Sequence, residues 1–283
     1  MPITKGLDTA VANGSAIGCT VVQLFTKNPQ QWRSRTISQQ EAAAFRDANA
    51  RLMSAPPVAH DSYLINLAAA DPDILQKSRG AFLEELRRCE ELGIAILVTH
   101  MGSYRDSTEE EGLARLVESL NLILEEPADT SVVIALETTA GQGSYLGSRF
   151  EHFPWIFQHV EHPERLRVCF DTCHAFAAGY DLRTEEAYSA TMSEFEAVVG
   201  LDRLCAFHLN DCKGELGSRV DRHEHIGHGQ LGDTPFRLLL EDPRFSALPK
   251  IIETPQPEQM HAYNLSKLRS LIGLCPPPAY PSA

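Results

Sequence analysis

The chain has 283 residues, of which 43% are hydrophobic, and its formal net charge is −13. This composition is that of an ordinary globular protein, and no apolar run approaches the roughly 20 residues that a membrane span requires. The acidic balance argues against a nucleic-acid partner unless a local basic rim and bound cations offset it.

The ends of the chain and its cysteines give further expectations. The N-terminal residues lack a basic stretch followed by an apolar core, so we expect no signal peptide. Seven cysteines, an odd number with no C-x-x-C pair, predict a reduced chain without a thiolate zinc site of the usual spacing. We therefore expect a cytoplasmic monomer that makes no contact with a membrane.

Short apolar runs, each followed by a helical pattern, predict parallel strands buried on both faces. The runs span residues 18–26, 56–60, 94–100, 132–138, 166–172, 204–211 and 250–254. Amphipathic helices are predicted at residues 38–53 and 71–92. Ser38 and Glu41 have the spacing of a capping box there, and Gly93 stands where a helix would end.

Repeated β/α units without a linker predict an α/β fold, a (β/α)8 TIM barrel. We expect one barrel domain over residues 1–275, followed by a Pro-rich tail over residues 276–283. A doubly wound open sheet is the alternative. Such a sheet usually carries a G-x-G-x-x-G turn after its first strand, and the sequence contains none.

The first strand of such a barrel is missing from the sequence pattern. Only residues 1–5 precede a helix that begins near Leu7, and Pro2 is a poor residue for a central strand. We expect a true start about 8–12 residues upstream, the length of a strand and its loop. Without that strand, residues 18–26 and 250–254 would form exposed edges, and the extended form would be more stable and active.

Six of the predicted strands end in a residue that can bind a metal ion, at intervals of 34 to 45 residues. These residues are His60, His100, Glu137, Asp171, His208 and Glu253. Because the carboxyl ends of the strands meet at one face of a barrel, we expect the six side chains to converge. Each could alone be a structural residue, but their convergence would be costly without divalent cations.

Two further pairs extend the predicted site. His174 follows Asp171 by about one helical turn, and Asp221 and His223 share a face of an extended segment because they are two residues apart. Nine ligands, with one carboxylate as a bridge, would hold a trinuclear site.

The remaining histidines are expected outside the ligand set. His225 and His228 lie in the loop after His223, so we expect them beside the metals rather than bound. Four others are expected on the surface: His152, His159, His162 and His261.

Long motifs resemble those of the endonuclease IV family, the zinc-dependent AP endonucleases, from about Gly6 to Leu274. The motifs are HDSYLINL at 60–67, RVCFDTCH at 167–174, FHLNDCK at 207–213 and GSRVDRH at 217–223, with LFTKN at 24–28 and ETTAGQG at 137–143. The sequence departs from the family in lacking a first strand with its His. Gln30 stands where some members carry a basic residue that enters the DNA groove, and Cys212 stands where Ala or Ser is usual.

The resemblance implies hydrolysis of the phosphodiester 5′ to abasic sites in duplex DNA, which leaves a 3′-hydroxyl for base excision repair. It also implies removal of blocking groups from 3′ ends. Three zinc ions are implied, the first held by His60, His100 and Glu137. Glu137 bridges to a second held by Asp171, His208 and Glu253, and the third is held by His174, Asp221 and His223. Glu137 and Glu253 are expected to orient or deprotonate the attacking water.

Tyr63 and Leu64 follow His60 by one turn, on a loop at the predicted metal face. We expect them to enter the minor groove and fill the gap left by a flipped abasic sugar. The alternative is that both pack into the barrel rim.

Two other functions fit the same barrel. One is a metal-dependent sugar isomerase or epimerase, since one fold supports many chemistries. The other is a catalytically inactive DNA-damage binder. Nine ligands rather than about four favour the nuclease over the isomerase, and retention of the full ligand set argues against an inactive binder.

Overall fold

A computed structural model describes residues 1–125 and 131–281. The strands are β1 Gln23–Phe25, β2 Val58–His60, β3 Ile96–His100, β4 Val133–Glu137, β5 Leu166–Asp171, β6 Leu204–His208, β7 Asp211–Cys212, β8 His223–Glu224 and β9 Lys250–Ile251. The helices are α1 Leu7–Ala16, α2 Gln39–Leu52, α3 Pro72–Leu92, α4 Glu109–Glu125, α5 His152–His159, α6 Thr172–Ala178, α7 Glu185–Val198, α8 Thr234–Glu241 and α9 Pro257–Leu271. None of the described helices is both long enough and apolar enough to cross a membrane.

Seven parallel strands form one sheet in the order β1-β2-β3-β4-β5-β6-β9, which curves into a nearly closed barrel. This arrangement confirms the predicted TIM-barrel class. The single strand predicted over residues 204–211 was wrong in its extent, because the structure has one strand that ends within this range and a second that begins there. β6 ends at His208, and β7 then pairs with β8 as an antiparallel ribbon that sets Cys212 opposite His223.

The two edges of the barrel sheet are β1 and β9, as expected. The gap between them contains a cavity of about 380 Å³, whose lining includes Met1, Pro2, Phe25 and Ile252. The amino group of Met1 donates a hydrogen bond to the carbonyl oxygen of Gln23 in β1.

Local sequence signals set the ends of the predicted helices. The Ser38 hydroxyl accepts from the backbone N–H of Glu41, whose carboxylate accepts from the Ser38 N–H at 3.0 Å, which completes a capping box before α2. Asp71 caps α3 in the same manner, and Gly93 ends that helix with a φ of 69°. Gly is favoured there because its missing Cβ removes the steric cost of this left-handed conformation.

The core has two layers. Small side chains fill the barrel interior, and five of them are fully buried: Val58, Val98, Ala135, Cys169 and Ala206. Larger side chains, including Phe45, Phe82 and Phe170, fill the space between the strands and the helices. Burying each large apolar side chain contributes about 1.5–3 kcal/mol. Small interior residues leave room for a layer of polar side chains at the carboxyl end of the barrel.

Candidate metal centre

Strand register brings the predicted ligands to one level of the barrel. His60, His100, Glu137, Asp171 and His208 are each the last residue of their strand. His100 is paired with Glu137 across β3 and β4, and Asp171 with His208 across β5 and β6. The carboxyl ends of parallel strands share one face, so these side chains converge although they are distant in sequence.

Glu137 lies at the centre of this cluster and is fully buried. One of its oxygens, Oε2, lies 3.2 Å from Nε2 of His60 and 3.1 Å from Nε2 of His100. The other, Oε1, lies 2.8 Å from Nδ1 of His208 and 3.3 Å from Nδ1 of His174. Each oxygen therefore faces a different group of imidazoles, the arrangement that a bridging carboxylate requires.

The pKa shifts of the clustered carboxylate and imidazoles show that the buried carboxylate is stabilised by positive charge on the histidines around it. Burial would raise the pKa of Glu137, but His208 and His100 hold it well below its usual range. Burial would lower the pKa of His60, but Glu137 and Asp61 raise it to about 9. The pKa of His208 is likewise raised well above its usual value by neighbouring acidic groups, against the effect of burial. Divalent cations could take the place of these protons, so the donor set fits a metal.

Ligand atoms within 4.8 Å of one another form several groups in the described residues. One contains His60, His100 and Glu137; another contains Glu137, Asp171, His208 and Glu253; two more are Asp171 with His174 and His223, and Cys173 with Asp221 and His223. The structure thus brings all nine predicted ligands together.

The last two groups share His223, and between them they contain His174, Asp221 and His223, the residues of the third predicted ligand set. Nε2 of His174 lies 3.2 Å from Asp221 Oδ1, and Nε2 of His223 lies 3.4 Å from the same oxygen. The β7–β8 ribbon carries His223, and its pairing with Cys212 holds that segment beside α6. Asp221 remains exposed at the cavity mouth.

Sequence reasoning missed the neutral residues that hold the ligands. The Gln23 amide donates to Glu253 Oε1 at 2.6 Å, and its oxygen lies 2.8 Å from Nε2 of His208. The Asn210 amide donates to Asp171 Oδ2 at 2.7 Å. Asn210 follows the end of β6 by two residues, which was the available signal, whereas nothing in the sequence distinguished Gln23. The thiol of Cys173, which shares a group with Asp221 and His223, was also missed because it has no paired cysteine at C-x-x-C spacing.

The surface prediction was wrong for two histidines. His152 is buried, with its Nδ1 accepting from the backbone N–H of Gly147 at 2.9 Å. His261 is also buried, with Nε2 3.3 Å from the carbonyl oxygen of Thr254. Each ring has one backbone partner, and the other nitrogen of His152, Nε2, lies 3.4 Å from Glu109 Oε1. His159 and His162 are exposed, as expected.

The loop histidines have partners of their own. His225 Nδ1 lies 3.1 Å from the Asn264 amide nitrogen, and His228 Nε2 lies 2.7 Å from the Tyr263 hydroxyl. Neither ring belongs to a candidate ligand group within the described ranges. Their place is therefore in the packing of α9 rather than at the metals. The ring of Tyr280, in the C-terminal tail, lies 4.6 Å from that of His228.

A cavity of about 750 Å³ opens beside the cluster, and its lining includes His60, His100, His174, Tyr63 and Leu64. Tyr63 is 63% exposed, with its ring 5.1 Å from that of Phe25. Leu64 is half-buried. The packing alternative therefore describes Leu64 in part but not Tyr63, whose ring is available to a ligand.

Several known proteins are similar to this chain in sequence and in architecture. Residues 11–271 match the family model described as a xylose isomerase-like TIM barrel. A probable endonuclease 4 of Chloroflexus aurantiacus is 49% identical over 274 residues, which cover 96% of each chain. The crystal structure of endonuclease IV from Thermus thermophilus matches with a TM-score of 0.83 and 35% identity over 95% of each chain. The D-psicose 3-epimerase of Clostridium cellulolyticum H10 shares the fold, with a TM-score of 0.62 and 14% identity over 87% of this chain and 78% of that one.

Proposed function

The chain belongs to the endonuclease IV family, and from this premise we propose that it hydrolyses the phosphodiester 5′ to abasic sites in duplex DNA by zinc-dependent catalysis. The observation that carries the proposal is the position of Glu137, whose two carboxylate oxygens face separate groups of histidines. One carboxylate placed in this way can serve two cations, as two-metal phosphodiester hydrolysis requires.

We propose three zinc ions, held by the ligand sets that the resemblance implies. Imidazole and carboxylate are suitable zinc ligands, and the four contiguous donor groups support more than one ion. Zinc supplies Lewis-acid chemistry at phosphoryl oxygens and makes water more acidic. His60, His100 and Glu137 would hold one ion, and Asp171, His208 and Glu253, with Glu137, the next. The third would be held by His174, Asp221 and His223.

The chain itself orients and deprotonates the water. The side chain of Glu253 is 24% exposed and lines the smaller cavity between β1 and β9, together with His60, and the Gln23 amide fixes one of its oxygens. Glu253 would accept a proton as the water oxygen attacks phosphorus and the bond from phosphorus to O3′ breaks. The 3′-oxygen leaves with the bonding electron pair and takes up a proton from solvent to become a hydroxyl, and Glu253 later releases its proton to solvent. Glu137 is fully buried, so its role is to orient the site through the imidazoles around it.

The large cavity would accept the sugar. Tyr63 projects from its wall, and Leu64 lines it one residue later. An aromatic and an apolar side chain can fill the space that a flipped-out sugar leaves in the duplex. We assign this activity to one barrel domain over residues 1–275, because the family match covers residues 11–271, and we expect this domain to act as a monomer.

A sugar epimerase is a weaker candidate. The likeness to epimerase structures, at 14% identity, concerns the fold, which does not determine the reaction. Nine convergent ligands exceed the four or so that one or two ions of an isomerase require.

The decisive experiment combines incision with elemental analysis. A labelled duplex with one abasic site should be cut on its 5′ side, the new end should be extended by a DNA polymerase, and about three zinc ions per chain should be found. Tight binding without incision would instead favour a damage-binding protein. Metal-dependent turnover of a free ketose without incision would favour the epimerase.

A further inference from the structure

Two cations line the large cavity beside the metal centre. Lys77, on α3, and Arg105, in the loop after β3, are both exposed, and His100, His174 and Asp221 belong to the same lining. Within residues 1–125 and 131–281, neither cation has an ion-pair partner among the salt bridges of the structure. Their charges are therefore available to a ligand in the cavity.

Several other surface cations are neutralised by a carboxylate. Arg183 lies 2.8 Å from Asp181, and Lys267 lies 2.7 Å from Asp233. In a chain whose net charge is −13, such pairing reduces the positive charge that is free for an anionic partner. Lys77 and Arg105 differ from these paired residues, and they line the cavity beside the candidate metal centre.

The carboxylates that line this cavity are only partly available to neutralise Lys77 and Arg105. Asp71 Oδ1 accepts the backbone N–H groups of Asp73 and Ile74 at 2.9 and 3.0 Å, so its carboxylate serves as the cap of α3. Asp106, next to Arg105, is exposed. Water screens an exposed carboxylate, so a multiply charged anion can outcompete it for the guanidinium.

The backbone holds Arg105 in a fixed place. Its φ is 39°, in the left-handed region that side-chain-bearing residues rarely adopt. The Arg105 N–H donates to Ser144 Oγ at 2.9 Å, and the Tyr104 N–H donates to the Ser144 carbonyl oxygen at 3.1 Å. Ser103 forms an antiparallel bridge with Tyr145. The loops after β3 and β4 are thus joined, and the strained residue persists because its surroundings fix it.

A third loop supports the same segment. The Asn66 side chain, in the loop after β2, accepts from the Ser103 N–H and donates to the Ser103 carbonyl oxygen, both at 2.9 Å. Three loops at the metal-bearing face are therefore linked through Ser103. A cation on such a support loses little conformational freedom when it binds.

The chemistry of the two cations matches a phosphate. A guanidinium presents parallel N–H groups to two phosphate oxygens, and an ammonium acts as a compact point charge. We propose that Arg105 and Lys77 bind backbone phosphates of the DNA strand that enters this cavity. They are positioning residues, and the inference rests on the proposed nuclease function. This contact would provide the local basic rim that a protein of net charge −13 needs to hold DNA.

The test compares Arg105→Gly and Lys77→Ala with the unchanged protein. Glycine accepts the φ of 39° without strain, so Arg105→Gly removes the cation while the loop is kept. Arg51→Ala is the matched control, because Arg51 lies in the last turn of α2, which the β/α topology directs away from the carboxyl ends of the strands. Melting temperatures verify that each variant is folded.

Two measurements are made on zinc-loaded protein. For incision of the abasic duplex, we expect KM to rise about 5–10-fold in each variant, with kcat within about twofold. For binding to an intact duplex of the same sequence, the slope of log affinity against log salt should become less steep by about 0.9 for each lost phosphate contact. Arg105→Lys should restore the salt slope but only part of the affinity.

Unchanged KM and unchanged salt slope in both variants, equal to those of Arg51→Ala, would overturn the inference. Failure of the unchanged protein to cut an abasic duplex would count against the proposed function instead. Because the intact duplex has no abasic site, its salt slope reports the phosphate contacts separately from the reaction.

Discussion

Glu137 Oε1 lies 2.8 Å from Nδ1 of His208, although β4 and β6, which carry these residues, are separated by β5 in the sheet. The contact crosses the barrel end rather than following a pair of neighbouring strands. It joins the His60–His100 side of the cluster to the Asp171–Glu253 side through a single carboxylate. Loss of that carboxylate should therefore affect both sides together.

Replacing Glu137 by Ala should lower the zinc content by more than one ion per chain and reduce incision by on the order of 100-fold or more. The reason is that two groups of imidazoles share this carboxylate. Elemental analysis and single-turnover incision measure the two effects. Glu118→Ala, at an exposed glutamate, is the control. Full zinc content and full activity in Glu137→Ala would show that the carboxylate bridges nothing.

Replacing Glu253 by Gln should reduce the incision rate more than the zinc content. The amide keeps an oxygen that can coordinate and stays within reach of Gln23, but it cannot accept a proton from water. We expect kcat to fall about 100-fold, while most of the zinc is retained. Rate and metal content are measured on the same preparation. If all zinc is lost, Glu253 acts only as a structural ligand.

Replacing Tyr63 by Ala should weaken binding to abasic duplex by about tenfold and leave the zinc affinity unchanged. The ring is 63% exposed and lines the large cavity, so it can enter a stacked duplex. Tyr63→Phe keeps the ring and should bind almost normally. Binding is compared at one salt concentration, because affinity for DNA depends strongly on salt. Equal affinity in Tyr63→Ala would leave only a packing role.

Removing the metals should destabilise the protein more at pH 9 than at pH 6.5. In the metal-free protein Glu137 and Asp61 raise the pKa of His60 from 6.5 to about 9 against the effect of burial, whereas burial raises the pKa of Asp61 from 3.8 to about 7. The stability that protonated His60 contributes is present below pH 6.5 and is lost as the pH rises through 9. Ionisation of Asp61 near pH 7 is unfavourable in the same direction.

Bound metal has the opposite pH dependence, because protons compete for its ligands. The difference in melting temperature between zinc-loaded and chelated protein should therefore widen from pH 6.5 to pH 9, by several degrees. Thermal unfolding followed by circular dichroism measures both forms. If the difference in melting temperature narrows from pH 6.5 to pH 9, His60 is not stabilised by a proton in the metal-free protein.

The sequence determined the periodicity of this fold and the identity of its ligands. Apolar runs recur along the sequence at a spacing of about one β/α unit. They predicted the barrel strands, because buried parallel strands need apolar side chains on both faces. Six of the seven runs carried a possible ligand at or near their carboxyl end, and in a parallel barrel that position alone assigns the residue to the common face. Asp171 and His208 were therefore identifiable before any distance was known.

Tertiary structure decided the contacts between residues of non-neighbouring segments. The sequence contains no sign that Gln23 holds Glu253 and His208, that Ser144 fixes the left-handed Arg105, or that His152 and His261 are buried. A polar side chain becomes a buried structural group only when a hydrogen-bond partner from another segment lies within reach. That distance depends on how the strands close and the loops pack, which no local pattern specifies.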